Sequence, residues 1–308
     1  MAPVVSALLP VFLAIVAGFL LRHSLMPEEA HWVGLERLTY YVLFPALIIE
    51  SLATADLARI PAFGVGAALF IAILVMSILL VVIRPMLMRQ LHIGGPAFTS
   101  VFQGATRWNS VVGIAVAGSL YGEIGIALCS VAMVAMIPVL NVINVTILVR
   151  HAAAKPPSAR DFAWTLAANP MIWSCAAGIA LWLVHPPLPD AAHGFARMLG
   201  HAAVALGLLQ IGSSLRLEEL YRPRAVTLMT TALKLALMPA LAIAFGLAFG
   251  LDGASLAVVV ACAAVPSASN AYVLARQMGG DAPLVAQIVT LQTIVAVVTM
   301  PALLAIVA

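Results

Sequence analysis

The chain of 308 residues is 64% hydrophobic and 9% charged, with fifteen bases against twelve acids, a net charge of +3 and a mean hydropathy of +1.11. So few charges cannot cover the water-facing surface of a soluble enzyme of this length, and the same shortage excludes a disordered or nucleic-acid-binding chain. The composition is that of a membrane protein.

Ten apolar stretches follow in chain order, each long enough for a membrane-spanning helix: 4–21, 35–54, 62–83, 97–120, 123–149, 162–184, 196–215, 224–248, 254–275 and 283–307. The first lacks a basic leader and a small-residue cleavage site, so it reads as a retained span. Runs such as 67–83 are apolar on every side, which suits a helix and not the alternating strand of a barrel. The expected fold class is therefore an all-α membrane protein with ten transmembrane helices.

Loop parity sorts ten bases to one side: Arg22, Arg84, Arg89, Arg150, Lys155, Arg160, Arg216, Arg222, Arg224 and Arg276. The other side keeps Arg59 and Arg197. This asymmetry places the loops after spans 1, 3, 5, 7 and 9 in the cytoplasm and both termini outside. Residues 151–161, with Lys155-Pro156-Pro157, read as a cytoplasmic linker between a first half, 1–150, and a second, 162–308. The halves echo each other. Pro10 and Gly18 match Pro170 and Gly178, and Arg37 matches Arg197, all at an offset of 160 residues, while Gly122-Glu123 resembles Gly280-Asp281. Five spans per copy force the second copy to enter from the opposite face, which is the inverted-repeat design of secondary transporters.

Polar residues interrupt two spans. Span 4 carries Gln103-Gly104-Ala105-Thr106-Arg107-Trp108-Asn109-Ser110, with Gly113 beyond. A guanidinium at mid-depth costs about 2.5 to 3.5 kcal/mol on insertion scales unless it faces water or a partner. Gln103 and Arg107 share a helix face, and Gly104 and Gly113 permit close approach or local unwinding. The stretch reads as an anion-binding break; the alternative is an arginine that bridges spans or satisfies carbonyls. Span 9 carries Pro266-Ser267-Ala268-Ser269-Asn270. Pro266 breaks or kinks the helix and leaves Ser267, Ser269 and Asn270 at the start of the next half-helix, where a positive dipole end points. The alternative is a plain kink whose serines bond back within their own helix. Spans 4 and 9 run in opposite directions, so two broken helices are expected to cross near the midplane and form a substrate site.

Asn141 and Asn144 in span 5, and Gln287, Gln292 and Thr293 in span 10, fit interhelical hydrogen bonds as well as secondary ligand contacts. Pro45, Pro239 and Pro301 read as ordinary kinks, and Trp32, Trp164, Trp173 and Trp182 as interfacial anchors. Lys234 lies about 15 Å into span 8, beyond easy snorkelling, and is expected to face protein. As a built-in cation it could replace a coupling ion and make transport independent of sodium, with proton coupling or uniport as the alternatives left. Glu50, near the outer end of span 2, is either an interfacial carboxylate or a partner in charge coupling. Cys129, Cys175 and Cys262 read as packing residues. Ser267 with His201 lacks the setting of a hydrolase, no Walker loop is present, and no spacing supports a metal; the chain is expected to be no enzyme and to need no cofactor.

Leu9-Pro10 with Gly18, Tyr41-Val42-Leu43-Phe44-Pro45-Ala46-Leu47, the 102–109 stretch, Pro138-Val139-Leu140-Asn141-Val142 and Pro266-Ser267-Ala268-Ser269-Asn270-Ala271 resemble, in order and spacing, the auxin efflux carrier family, and in particular its bacterial malonate-transporter-like branch. The resemblance covers the whole chain. It implies ten helices in two inverted five-helix repeats, a fold similar to bile-acid sodium symporters and sodium/proton antiporters. Spans 1, 2, 6 and 7 would be the scaffold of a homodimer, and 3–5 with 8–10 a moving transport domain. By that resemblance Asn109 and Asn270 fall where an organic anion binds. Arg107 adds a cation that the plant members need not share, so malonate or malate fits better than auxin. The expected protein is an inner-membrane secondary transporter of small organic anions, with elevator-type alternating access; an anion channel or an aromatic carboxylate carrier is the alternative. The expected partners are the anion and membrane lipid, with no nucleic acid.

Overall fold

The computed structural model describes residues 2–55, 60–152, 158, 160, 164, 168–221 and 223–307. Arg59, Arg222 and the linker motif Lys155-Pro156-Pro157 lie outside the described residues. Every regular element among the described residues is helical. In order these are α1 (Ala2–His23), α2 (Glu29–Leu38), α3 (Phe44–Thr54), α4 (Ala62–Gln90), α5 (Gly95–Thr106), α6 (Ser110–His151) and α7 (Pro170–Val184). Then come α8 (Asp190–Ser213), α9 (Ala225–Ala232), α10 (Met238–Ala248), α11 (Gly253–Ala264), α12 (Asn270–Met278) and α13 (Ala282–Val307).

Seven helical stretches among the described residues are long and apolar enough to cross a membrane, and α7 and α11 are shorter apolar helices. One of the seven, Gly95–His151, has 57 residues and so would extend about 86 Å if straight, against roughly 30 Å of hydrocarbon. It is not straight. The chain leaves the helix at Arg107–Asn109, and Gly122 adopts φ 59° and ψ −139°, a conformation that a side chain resists. Hydropathy also misses amphipathic ends: the helix of span 2 begins at Glu29, ahead of the apolar run, and α8 begins at Asp190.

Two prolines expected to act as ordinary kinks instead widen the helix. Pro45 has no N–H for the carbonyl of Tyr41, and residues Thr39–Leu43 form a π-helical turn in which the Phe44 N–H reaches back to the Thr39 carbonyl. Pro239 does the same to Leu233–Leu237, where the Met238 N–H bonds the Leu233 carbonyl. The second of these turns carries Lys234.

Packing falls into two groups. In one, α1 lies along α8, and α3 along α7 and α8. The α1–α8 approach is backbone to backbone: a Cβ on Gly18 would sit 1.9 Å from the Leu209 carbonyl oxygen, and one on Gly212 1.8 Å from that of Ile15. In the other group α4 packs on α6 and α10, and α11 on α6, α10 and α13. Helix α6 also touches α1, α3, α7 and α8, so it is the main contact between the groups. Cys129, Cys175 and Cys262 are buried and unbridged, with the Cys129 and Cys262 sulfurs 3.8 Å apart between α6 and α11.

Candidate functional site

The break between α5 and α6 and the break between α11 and α12 lie against each other. At the first, Arg107 turns extended (φ −66°, ψ 151°) and Asn109 becomes the N-cap of α6, its Oδ1 accepting from the Val111 and Val112 N–H groups at 3.1 and 3.3 Å. At the second, Val265 is extended (φ −63°, ψ 148°), as the residue before a proline prefers, and helix resumes at Asn270. Each break leaves carbonyls without helical donors. The Ser267 hydroxyl donates to the Gly104 carbonyl at 2.7 Å, and Gln292 Nε2 donates to the same oxygen at 2.9 Å. Gln292 Oε1 in turn accepts from the Ser267 N–H at 2.9 Å, so α5, the second break and α13 are tied at one point.

Above this knot, Arg107 Nη1 donates to Asn270 Oδ1 at 3.0 Å. Arg107 is 7% exposed, and its Nε has no hydrogen-bond partner. The N-termini of α6 and α12 lie beside it, so two positive helix ends and a guanidinium border one space. That space is a cavity of about 710 Å³. Arg107, Trp108, Asn109, Ser269 and Asn270 line it, with Asn141 from α6. The opposite wall is one face of the segment 29–44, with Glu29, Trp32, Glu36, Tyr40 and Phe44, and Gly207, Gln210 and Ile211 of α8. Arg22, Arg216 and Arg276 also line it, giving four cations against two acids. Ser269 reaches across to α8, its hydroxyl 2.9 Å from that of Ser214.

The predicted site residues therefore divide. Arg107, Asn109, Asn141, Ser269 and Asn270 line the cavity. Ser267 does not: it is fully buried behind the wall, and its hydroxyl is spent on the Gly104 carbonyl, which corrects the selectivity role expected for it. Gln292 is likewise a brace, and Thr293 bonds the Val289 carbonyl of its own helix. Gln103 is fully buried off the cavity, with both amide atoms unpartnered. Pro266 separates the extended Val265 from Ser267, and the glycines act by approach. A Cβ on Gly104 would lie 2.8 Å from Ile288 and Thr230 side chains, and one on Gly113 2.9 Å from the Trp108 ring.

Glu50 has no place in the cavity. It is bound from α8 by His193 Nδ1 at 2.9 Å and Arg197 Nε at 3.1 Å, and so joins α3 to α8 instead of pairing with a charge at the site. Lys234 is fully buried with no hydrogen-bond partner for Nζ. Trp32, expected at an interface, is buried in the cavity wall with its Nε1–H on the Met26 carbonyl at 2.7 Å. Sequence reasoning missed Arg22, Arg216 and Arg276, which read as topology signals only. It also missed Gln210, a polar intrusion in span 7 whose Nε2 donates to the Thr39 hydroxyl at 2.7 Å. Among the described residues no cluster of His, Cys, Asp and Glu could hold a metal.

A model of the family described as membrane transport protein matches residues 3–304. The chain belongs to that family, the auxin efflux carriers. It is thus a multi-pass membrane transporter. No curated protein matches it.

Proposed function

We propose that this transporter is a secondary carrier of small organic anions, malonate- or malate-like carboxylates, working from a midplane site by elevator-type alternating access. The observation that carries the reading is Arg107: a nearly buried guanidinium held by Asn270 across two helix breaks, at the wall of a large cavity. Permanent charge at that depth is stabilised by an anion, and the helix ends at Ser110 and Asn270 add donors around it. Asn109 Nδ2 is free for substrate because its Oδ1 caps α6.

In this reading Gly95–His151 counts as two crossings, and α7 and α11 are parts of two more, giving ten in two inverted repeats. The breaks of spans 4 and 9 are the crossed pair. The scaffold is α1, α2, α3, α7 and α8, and the remaining helices move along it, which the two packing groups support. Arg22, Arg216 and Arg276 border the cavity on the base-rich, cytoplasmic side, so the structure is read as open inward, with both termini periplasmic in the inner membrane. The scaffold pairs in a homodimer.

Reconstitution tests this. Proteoliposomes preloaded with malonate are expected to accumulate labelled malonate by saturable exchange; ion currents without exchange would establish a channel. A second reading is favoured by Trp32, Tyr40, Phe44, Trp108 and Tyr272, which surround a space much larger than a three-carbon diacid. On that reading the cargo is an aromatic monocarboxylate, and indole-3-acetate would outcompete malonate.

A further inference from the structure

We propose that Lys234 is the proton-binding group of this transporter, taking up one proton when a dicarboxylate dianion occupies the Arg107 site. The inference rests on the carrier reading above. Lys234 is fully buried, on the π-helical turn that Pro239 imposes, and Nζ has no partner. That turn packs against α5, α9, α10, α11 and α13. None of these five helices carries an aspartate, glutamate, histidine or tyrosine, and the one titratable group on them is the Cys262 thiol, which contacts Cys129. Among the described residues, no helix packed on this turn brings a carboxylate to an ammonium here. A buried amine without a counter-ion sheds its proton, and it takes one up again only where an opposite charge arrives from elsewhere.

On the carrier reading that charge enters at Arg107. Helix α5 packs on the Lys234 turn and ends at Arg107, so it reaches from the lysine to the cavity. On α5, one turn before Arg107, stands Gln103, whose amide N and O both lack partners. Thr231, three residues before Lys234, also has a buried unpartnered hydroxyl. Unsatisfied polar atoms are rare in interiors, and Gln103, Arg107, Thr231 and Lys234 supply five of the nine such buried side-chain atoms among the described residues.

Electrostatics then couples proton and substrate. In the empty carrier Arg107 is the fixed cation, and a second charge on Lys234 is repelled by it. A bound dianion more than offsets Arg107, and its remaining charge favours the ammonium. The proton comes from water and adds to the Nζ lone pair; no bond in the substrate changes. Arg107 and Lys234 together then balance the two negative charges of the dianion, while the empty carrier returns with Arg107 as the one charge of this pair. A dianion is thus carried with one proton and without sodium.

Full-length protein and malonate test this by titration calorimetry, above the second ionisation of malonate, in two buffers of different ionisation enthalpy. Wild type is expected to take up one proton per malonate bound, with affinity falling about tenfold per pH unit over the coupled range. Lys234→Met, which loses the group, and Lys234→Arg, which keeps a permanent charge, are each expected to take up none and to bind with pH-independent affinity. Malonate binding to wild type with no proton uptake would overturn the proposal, whatever the variants do, and leave the carrier reading intact. So would uptake persisting in Lys234→Met. No malonate binding at any pH would refute the dicarboxylate reading and this proposal with it.

Discussion

Replacing Arg107 by glutamine separates a role in binding from a role in folding. The guanidinium makes one side-chain bond, to Asn270 at 3.0 Å, and leaves Nε unpartnered. A carboxylate about 4 Å from this cation gains roughly 4 kcal/mol at an effective dielectric of 20, and truncating one member of a buried charge pair costs about 2 to 5 kcal/mol in measured complexes. At about 1.4 kcal/mol per decade, a loss of roughly 2 to 4 kcal/mol weakens malonate binding about 30- to 1,000-fold. Folding should suffer little, because the substitution also removes a poorly solvated charge and the glutamine can still reach toward Asn270. The assay is ligand-induced thermal stabilisation of purified protein. At a hundredfold excess over Kd, wild type gains about 2.7 kcal/mol, and at the same malonate concentration the variant gains at most about 1 kcal/mol. An Arg107→Gln variant that folds and binds malonate within threefold of wild type refutes the assignment.

Ser267→Ala removes the hydroxyl that caps the Gly104 carbonyl and should cost about 1 to 3 kcal/mol of stability, read as a lower melting temperature in detergent, since that oxygen keeps only Gln292. In Gly18→Ala the new methyl meets the Leu209 carbonyl at under 2 Å, so α1 and α8 must separate. A loss of at least about 1 to 3 kcal/mol is expected, and unchanged thermal unfolding would contradict the close approach. Glu50→Gln breaks the link to His193 and Arg197, whose side chains are 28% and 53% exposed. It should lower stability by no more than about 1 kcal/mol and leave the Kd for malonate unchanged; a tenfold affinity loss would return Glu50 to the transport chemistry.

Much of the candidate site was legible because membranes penalise polar atoms. Arg107, Asn109 and Asn270 stand out in apolar runs, and Pro266 marks a break that no tertiary contact can heal. Ser267 and Asn270 looked alike on those grounds. Which of them faces the cavity depends on how α5 and α13 approach the second break, and the Gly104 carbonyl, orphaned by the first break, draws the Ser267 hydroxyl inward. Gln292 was equally ambiguous, since an amide in a helix serves a ligand or a neighbouring backbone with the same atoms.

Hydropathy along the chain determined an all-helical membrane protein, because transfer of side chains from water is a local property. The pairing of Glu50 with residues some 140 positions later, the face that Trp32 and Gln210 show the cavity and the packing of Lys234 against helices that carry no acid were decided only by tertiary structure. Inside a membrane most helices are apolar nearly all round, so composition does not say which side meets lipid, which meets protein and which meets water. Close approach at Gly18 and Gly212, the π-helical turns before Pro45 and Pro239 and the capping of the first break by Ser267 of the second make that choice.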